Sequence, residues 1–173
     1  MIKFTIYPVL LLATLFFTSS CGVKKEEMVS QSVIWEDRIA DLSQENSLVS
    51  GSTYLSTYAE IYKYSEDEYE ALTATISIRN INKQGRVFIQ NIEYFNTHGV
   101  RIKSYIAQSI YIEPMETLEI VINQLDTEGG TGANFVFDWS IKPGTNDPLF
   151  EGVMVSNSGN QGFAFVTHGR KIE

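Results

Sequence analysis

Leu72-Thr73-Ala74-Thr75-Ile76-Ser77-Ile78-Arg79 alternates apolar and polar side chains without a break. Successive side chains of a strand point to opposite faces, so this stretch reads as a strand with one face in a core and the other in water. Residues 118–122, 134–139 and 162–167 repeat the pattern, and further runs rich in Val, Ile, Phe and Tyr lie at 54–62, 87–95, 100–112 and 150–156. Turn chemistry separates them: Asn82-Lys83-Gln84-Gly85, Thr97-His98-Gly99, Glu113-Pro114, Lys142-Pro143-Gly144 and Asn157-Ser158-Gly159-Asn160. Roughly eight strands at this spacing, with no long helical period between them, predict an all-β fold, an antiparallel β-sandwich of the immunoglobulin-like kind. A parallel sheet needs crossover helices, for which the chain has no room. The antibody variant is excluded because its paired cysteines cannot exist in a chain with one Cys.

Outward from the strands, the N-terminal segment has a different character. Met1-Ile2-Lys3 is a short positive start, Val9-Leu10-Leu11-Leu12-Ala13-Thr14-Leu15-Phe16-Phe17 is apolar, and Thr18-Ser19-Ser20-Cys21-Gly22 is small. These are the parts of a secretory signal, and the apolar stretch is shorter than the roughly 20 residues that span hydrocarbon. Thr18-Ser19-Ser20-Cys21 resembles a bacterial lipobox, although Thr18 stands where the strongest boxes carry Leu. The resemblance implies cleavage before Cys21 and lipidation of its thiol. Each buried methylene then contributes about 0.8 kcal/mol, so two or three acyl chains hold what one holds only reversibly. The predicted organisation is a signal peptide over 1–20, a lipidated Cys and tether over 21–48, and a sandwich domain over 49–173. Lys24-Lys25-Glu26-Glu27 resembles a surface-export tag of some didermic bacteria, but a solvated charged tether is the reading we favour. Trp35, Ile39 and Leu42 are spaced for one face of a short helix that Ser32 could cap, read as a segment packing back on the domain or a disordered tether, or else as a docking segment for a partner or membrane.

A chain of 173 residues makes one domain plus tails. Its formal net charge of −8 excludes nucleic acid, whose phosphates require clustered Lys and Arg. An acidic domain is not drawn to anionic lipid either, so membrane attachment falls to Cys21. The predicted location is the bacterial cell envelope, at the outer membrane, facing periplasm or surface.

Asp126-Thr127-Glu128-Gly129-Gly130-Thr131-Gly132-Ala133-Asn134-Phe135 is the most unusual stretch. A phosphate-binding loop needs Lys and Ser or Thr after its glycines and then a helix, whereas this one leads into a strand. Asp126, Glu128 and carbonyls of Gly129, Gly130 and Gly132 are hard oxygen ligands suited to calcium, and Asn134 adds another oxygen. The spacing is not that of the helix-loop-helix calcium motif. The alternative is a turn in which Asp126 or Asn134 bonds the backbone.

The run Gly129-Gly130-Thr131-Gly132-Ala133-Asn134-Phe135, together with Ser77-Ile78-Arg79-Asn80 and the C-terminal Gln161-Gly162-Phe163-Ala164-Phe165-Val166-Thr167-His168-Gly169-Arg170, resembles an uncharacterised bacterial domain family found in exported proteins and lipoproteins. The resemblance covers residues 51–170 and implies no activity. After Ile78-Arg79-Asn80 the family would continue Thr-Asp, where this chain has Ile81-Asn82.

The common hydrolase signatures are missing. His98 and His168 sit beside glycines and read as exposed turn residues. Glu113 with Glu116, and Asp138 with Glu151, are the carboxylate pairs that an acid–base enzyme would use if they met. Tyr54, Tyr58 and Tyr62 share one strand face by spacing, as a sugar- or peptide-binding stripe or the rim of the core. The functional expectation is a lipid-anchored, non-enzymatic binding module for an envelope protein, a glycan or a small ligand. The alternatives are a carboxylate-dependent enzyme on an envelope polymer, using Asp126 and Asp138, and a purely structural envelope protein.

Overall fold

A computed structural model describes residues 34–157 and 162–173. Twelve strands are found among them: β1 (Val49–Ser56), β2 (Glu60–Tyr62), β3 (Tyr69–Ala71), β4 (Thr73–Arg79), β5 (Val87–Phe95), β6 (Arg101–Ser104), β7 (Ile110–Ile112), β8 (Thr117–Ile122), β9 (Asn134–Ile141), β10 (Leu149–Ser156), β11 (Phe163–His168) and β12 (Arg170–Lys171). One sheet runs β12-β1-β9-β5-β6, with β7 also on β5; a second runs β11-β10-β4-β8; β2 and β3 form a separate ribbon. The paired strands are antiparallel. The chain is therefore all-β with antiparallel sheets packed face to face.

The count exceeds eight for reasons that lie in the backbone. Run 54–62 breaks because the Thr57 and Ala59 amides leave the ladder and donate to the Ala133 and Gly130 carbonyls, at 2.9 and 3.1 Å. Run 100–112 breaks because the Tyr105 amide donates to the Ile92 carbonyl at 3.0 Å and Ile106 turns inward. The extra strands β3 and β12 are two or three residues long and polar.

The core follows the alternation. Ala74, Ile76 and Ile78 of β4 share one buried core with Phe135, Phe137 and Trp139 of β9. Phe137 stacks on Phe150 of the other sheet with ring centres 4.4 Å apart, so aromatic contact joins the two layers. Trp139 is fully buried and donates its indole N–H to Thr53 Oγ1 at 2.9 Å. At Gly169 the chain switches from the smaller sheet to the larger. A Cβ there would lie 2.7 Å from Thr53 Cγ2 and 2.9 Å from Phe150 Cβ, so only glycine makes this corner.

Trp35–Arg38 and Leu42–Gln44 are single 3-10 turns rather than the expected helix. Ile39 bridges to Ile110, and the Ala40 amide donates to the Ser109 carbonyl. The folded structure thus includes residues N-terminal to position 49. Cys21, Ser32 and the predicted signal peptide lie outside the described residues.

Candidate functional site

The sandwich has two unlike ends. One gathers the turns after β4, β7 and β9 with the segment before β1. Asn80 and Asn82 are buried there. Asn80 Nδ2 donates to the Gly85 and Ile112 carbonyls, while its Oδ1 accepts the Asn82 amide. Asn82 Nδ2 donates to the Asn146 carbonyl and its Oδ1 accepts the Asn146 amide, an exchange that fixes both amide orientations. Arg38 clasps Glu116 with two bonds, 2.9 and 2.6 Å. Glu116 also accepts the Glu113 amide at 2.8 Å. The Arg38 bond, supported by that amide, holds the Glu116 carboxyl below its ordinary range against the opposing effect of burial. This end is closed by reciprocal bonds.

The other end carries the glycine-rich loop. Gly129 has a right-handed helical backbone, φ −65°, so it needs no left-handed conformation. It needs space. A Cβ would lie 2.0 Å from Tyr94 Oη and 2.9 Å from Ala133 Cβ. Gly130 supplies the positive φ, +69°, and opens the 3-10 turn Gly130–Gly132. The Thr97 amide and hydroxyl both donate to the Gly129 carbonyl, and the Gly132 amide donates to Thr97 Oγ1. The Gly130 carbonyl accepts Ala59, and Asn134 begins β9 between Ser56 and Phe95. Asp126 is exposed and its Oδ1 accepts the Glu128 amide at 3.3 Å. The glycine carbonyls proposed as calcium ligands at Gly129 and Gly130 are thus engaged by the protein itself. Among the described residues no group of three or more His, Cys, Asp or Glu is placed to hold a metal.

Beneath this loop lies Tyr94, 2% exposed and stacked on Phe135 at 4.7 Å. Its hydroxyl is buried with no hydrogen-bond partner among the described residues. Burial first, and the charge of Asp126 second, raise its pKa. The same causes push Tyr105 up to about 12.

Beside the loop stands the β2–β3 ribbon, which the loop supports through Ala59. Tyr62 faces Tyr69 across the ribbon, ring centres 5.2 Å apart. Tyr62, Tyr64 and Tyr69 are 56%, 80% and 49% exposed. Lys63 pairs with the buried Glu70 at 3.1 Å, and Glu70 accepts the Ser156 hydroxyl. The expected Tyr54–Tyr58–Tyr62 stripe does not exist, because the break after Ser56 separates its members. Tyr54 lies on β1, Tyr58 packs edge-on against Phe165, and Tyr62 joins Tyr69 instead. Only a tertiary view finds the Tyr62–Tyr69 pair, since seven positions separate them.

The other pairs do not form acid–base sites. Glu113 binds Arg86 and Glu116 binds Arg38. Asp138 bonds Ser52 and Asn91 on the outer face of the larger sheet. Glu151 meets Arg79 on the outer face of the smaller one. Asp126 lies in the end loop, not beside Asp138. His98 is in an exposed turn, and His168 ends β11 opposite Glu151.

The chain belongs to the DUF3124 family of proteins of unknown function, whose pattern matches residues 50–172. The match includes the Arg79–Asn80 turn, the glycine loop and the Gly169 corner. No curated protein matches it. A solved structure similar to it is that of Thermotoga maritima 1070, with 11% identity and a TM-score of 0.45, covering 69% of this chain and 92% of that one.

Proposed function

We propose that this chain is a lipid-anchored, non-enzymatic binding module of the bacterial cell envelope, held at the membrane through Cys21. The ribbon end of its sandwich is the binding face. One observation carries the assignment of that face: Tyr62, Tyr64 and Tyr69 are exposed together on a ribbon beside the glycine loop, whereas polar groups at the opposite end are bonded to one another. Loops at sandwich ends are where such scaffolds ordinarily carry recognition, and clustered exposed tyrosines supply contact area with few rotamers to freeze. The anchor rests on the small residues preceding the sole cysteine.

The test joins the two halves in intact cells. A photo-crosslinking residue is placed at Tyr64 or, as a control, at the exposed Val121. Labelled palmitate is supplied in parallel to the unmodified protein and to Cys21→Ala. Palmitate incorporation that Cys21→Ala abolishes, with an adduct from position 64 and none from 121, is the expected outcome. Retained labelling in Cys21→Ala removes the anchor, and equal adducts from both positions remove the ribbon as the binding face.

A further inference from the structure

We propose that the β2–β3 ribbon recognises a cationic peptide segment, with arginine or lysine side chains lying over Tyr62, Tyr64 and Tyr69. This rests on the reading of the ribbon as the binding face and gives that face a partner chemistry. Residues 60–70 hold five carboxylates and one lysine. Lys63 is engaged by Glu70, while Glu60, Glu66, Asp67 and Glu68 make no salt bridge among the described residues. Tyr62, Lys63, Tyr64, Ser65 and Glu66 line an open concavity at the ribbon's tip. A phenol ring presents its negative face to a cation, and the chain already uses this: the Lys63 ammonium lies 5.5 Å from the centre of the Tyr64 ring. Tyr69 ionises less readily than an ordinary phenol, chiefly through desolvation and then through Tyr62 and the nearby carboxylates of Glu60, Asp67 and Glu66.

Charge complementarity selects the occupant. An anionic polymer is repelled by the unpaired carboxylates. A neutral glycan gains ring contact but nothing from the field. A guanidinium gains both, because it is planar, weakly hydrated and stacks on aromatic faces while its edge donates to carboxylates.

The experiment measures binding of a fluorescent penta-arginine peptide to the purified full-length protein by anisotropy, beside a labelled neutral chito-oligosaccharide. The peptide is expected to bind in preference to the sugar. Tyr64→Ser is expected to weaken it about three- to fivefold, and Tyr62→Ser with Tyr64→Ser about tenfold, as exposed cation–π contacts do. Glu66→Gln with Asp67→Asn and Glu68→Gln is expected to weaken it similarly, whereas Glu36→Gln with Asp37→Asn, remote on the exposed Trp35–Arg38 turn, leaves it unchanged. Equal weakening by the remote pair, or unweakened binding by the tyrosine variants, means general attraction to an acidic protein and overturns the inference. So does an absence of peptide binding, or preference for the sugar. In either of those last cases an adduct from position 64 keeps the ribbon as a binding face with another partner, and loss of that adduct removes the face as well.

Discussion

Gly129→Ala separates two reasons for a glycine: room for a ligand, or room for the protein's own side chain. The backbone at 129 suits alanine, which by itself would stabilise by about 0.4–1 kcal/mol through the unfolded chain, so any loss must come from contacts of the added methyl. That methyl would sit 2.0 Å from Tyr94 Oη and 3.0 Å from Tyr94 Cζ, with Ala133 Cβ at 2.9 Å on another side. Tyr94 cannot retreat, because its ring is 2% exposed and stacked on Phe135. Something must move by more than an ångström, and overpacking of this kind costs about 1–3 kcal/mol. Tyr94→Phe alone removes a buried hydroxyl that has no partner, so it should be neutral or stabilise by up to about 1 kcal/mol. In the double variant the worst clash is gone while the contacts with the ring carbon and with Ala133 stay. The double should therefore be more stable than the sum of the singles by about 1 kcal/mol. Urea unfolding followed by tryptophan fluorescence reads this, since Trp139 is fully buried in the native state. If Gly129→Ala unfolds like the parent protein, or the two changes add without coupling, the glycine is not there to admit Tyr94. The reading of the loop as a packed element then fails.

Asn82→Asp removes two donated bonds and sets a carboxylate against the Asn146 carbonyl and Asn80 Oδ1, so it should cost about 2–4 kcal/mol at pH 7 and less in acid, by thermal unfolding at two pH values. Because Arg38 lowers the Glu116 pKa in the fold, the stability of that pair is full above the ordinary carboxyl range and is lost as pH falls through the depressed value. Arg38→Ala should cost about 1–2 kcal/mol at pH 7 and flatten the acid limb of a melting-temperature profile. Tyr94 and Tyr105 have raised pKa values in the fold, so stability from their neutral forms falls as pH rises above about 10, and Tyr94→Phe should blunt the alkaline loss in unfolding experiments. Tyr64→Ser, at a side chain 80% exposed, should change stability by less than about 0.5 kcal/mol, by urea unfolding; a larger loss makes the ribbon tyrosines part of the core rim.

Alternation made the strands legible because burial is local information: Ala74, Ile76 and Ile78 announce one face whatever covers it. The interruptions at 57–59 and 105–106 were not legible, since each is caused by a carbonyl far away in sequence. Two-residue β12 leaves no periodic trace and exists because β1 offers it an edge. The glycine loop was conspicuous by composition, yet composition says only that close approach or positive φ occurs somewhere in it. That Gly129 serves the first and Gly130 the second depends on Tyr94, more than thirty positions away. The departure from the expected Thr-Asp at Ile81-Asn82 gains a meaning only with Asn146 in place, because an amide can exchange bonds with a backbone amide and carbonyl where a carboxylate cannot.

The contrast between the ends bears on function through energetics. A buried amide or ion pair must be satisfied, so the Asn80–Asn82–Asn146 and Arg38–Glu116 contacts are explained by the cost of leaving such groups unpaired, and no ligand need be invoked for them. The same reasoning gives no account of Tyr64. An 80% exposed ring contributes little to a core, and exposed aromatic surface carries a risk of unwanted association. The neighbouring carboxylates of Glu66, Asp67 and Glu68 are exposed and make no salt bridge among the described residues. The fold's own stability draws little on either feature, whereas a cation laid across the ribbon would meet the carboxylates and cover the rings at once.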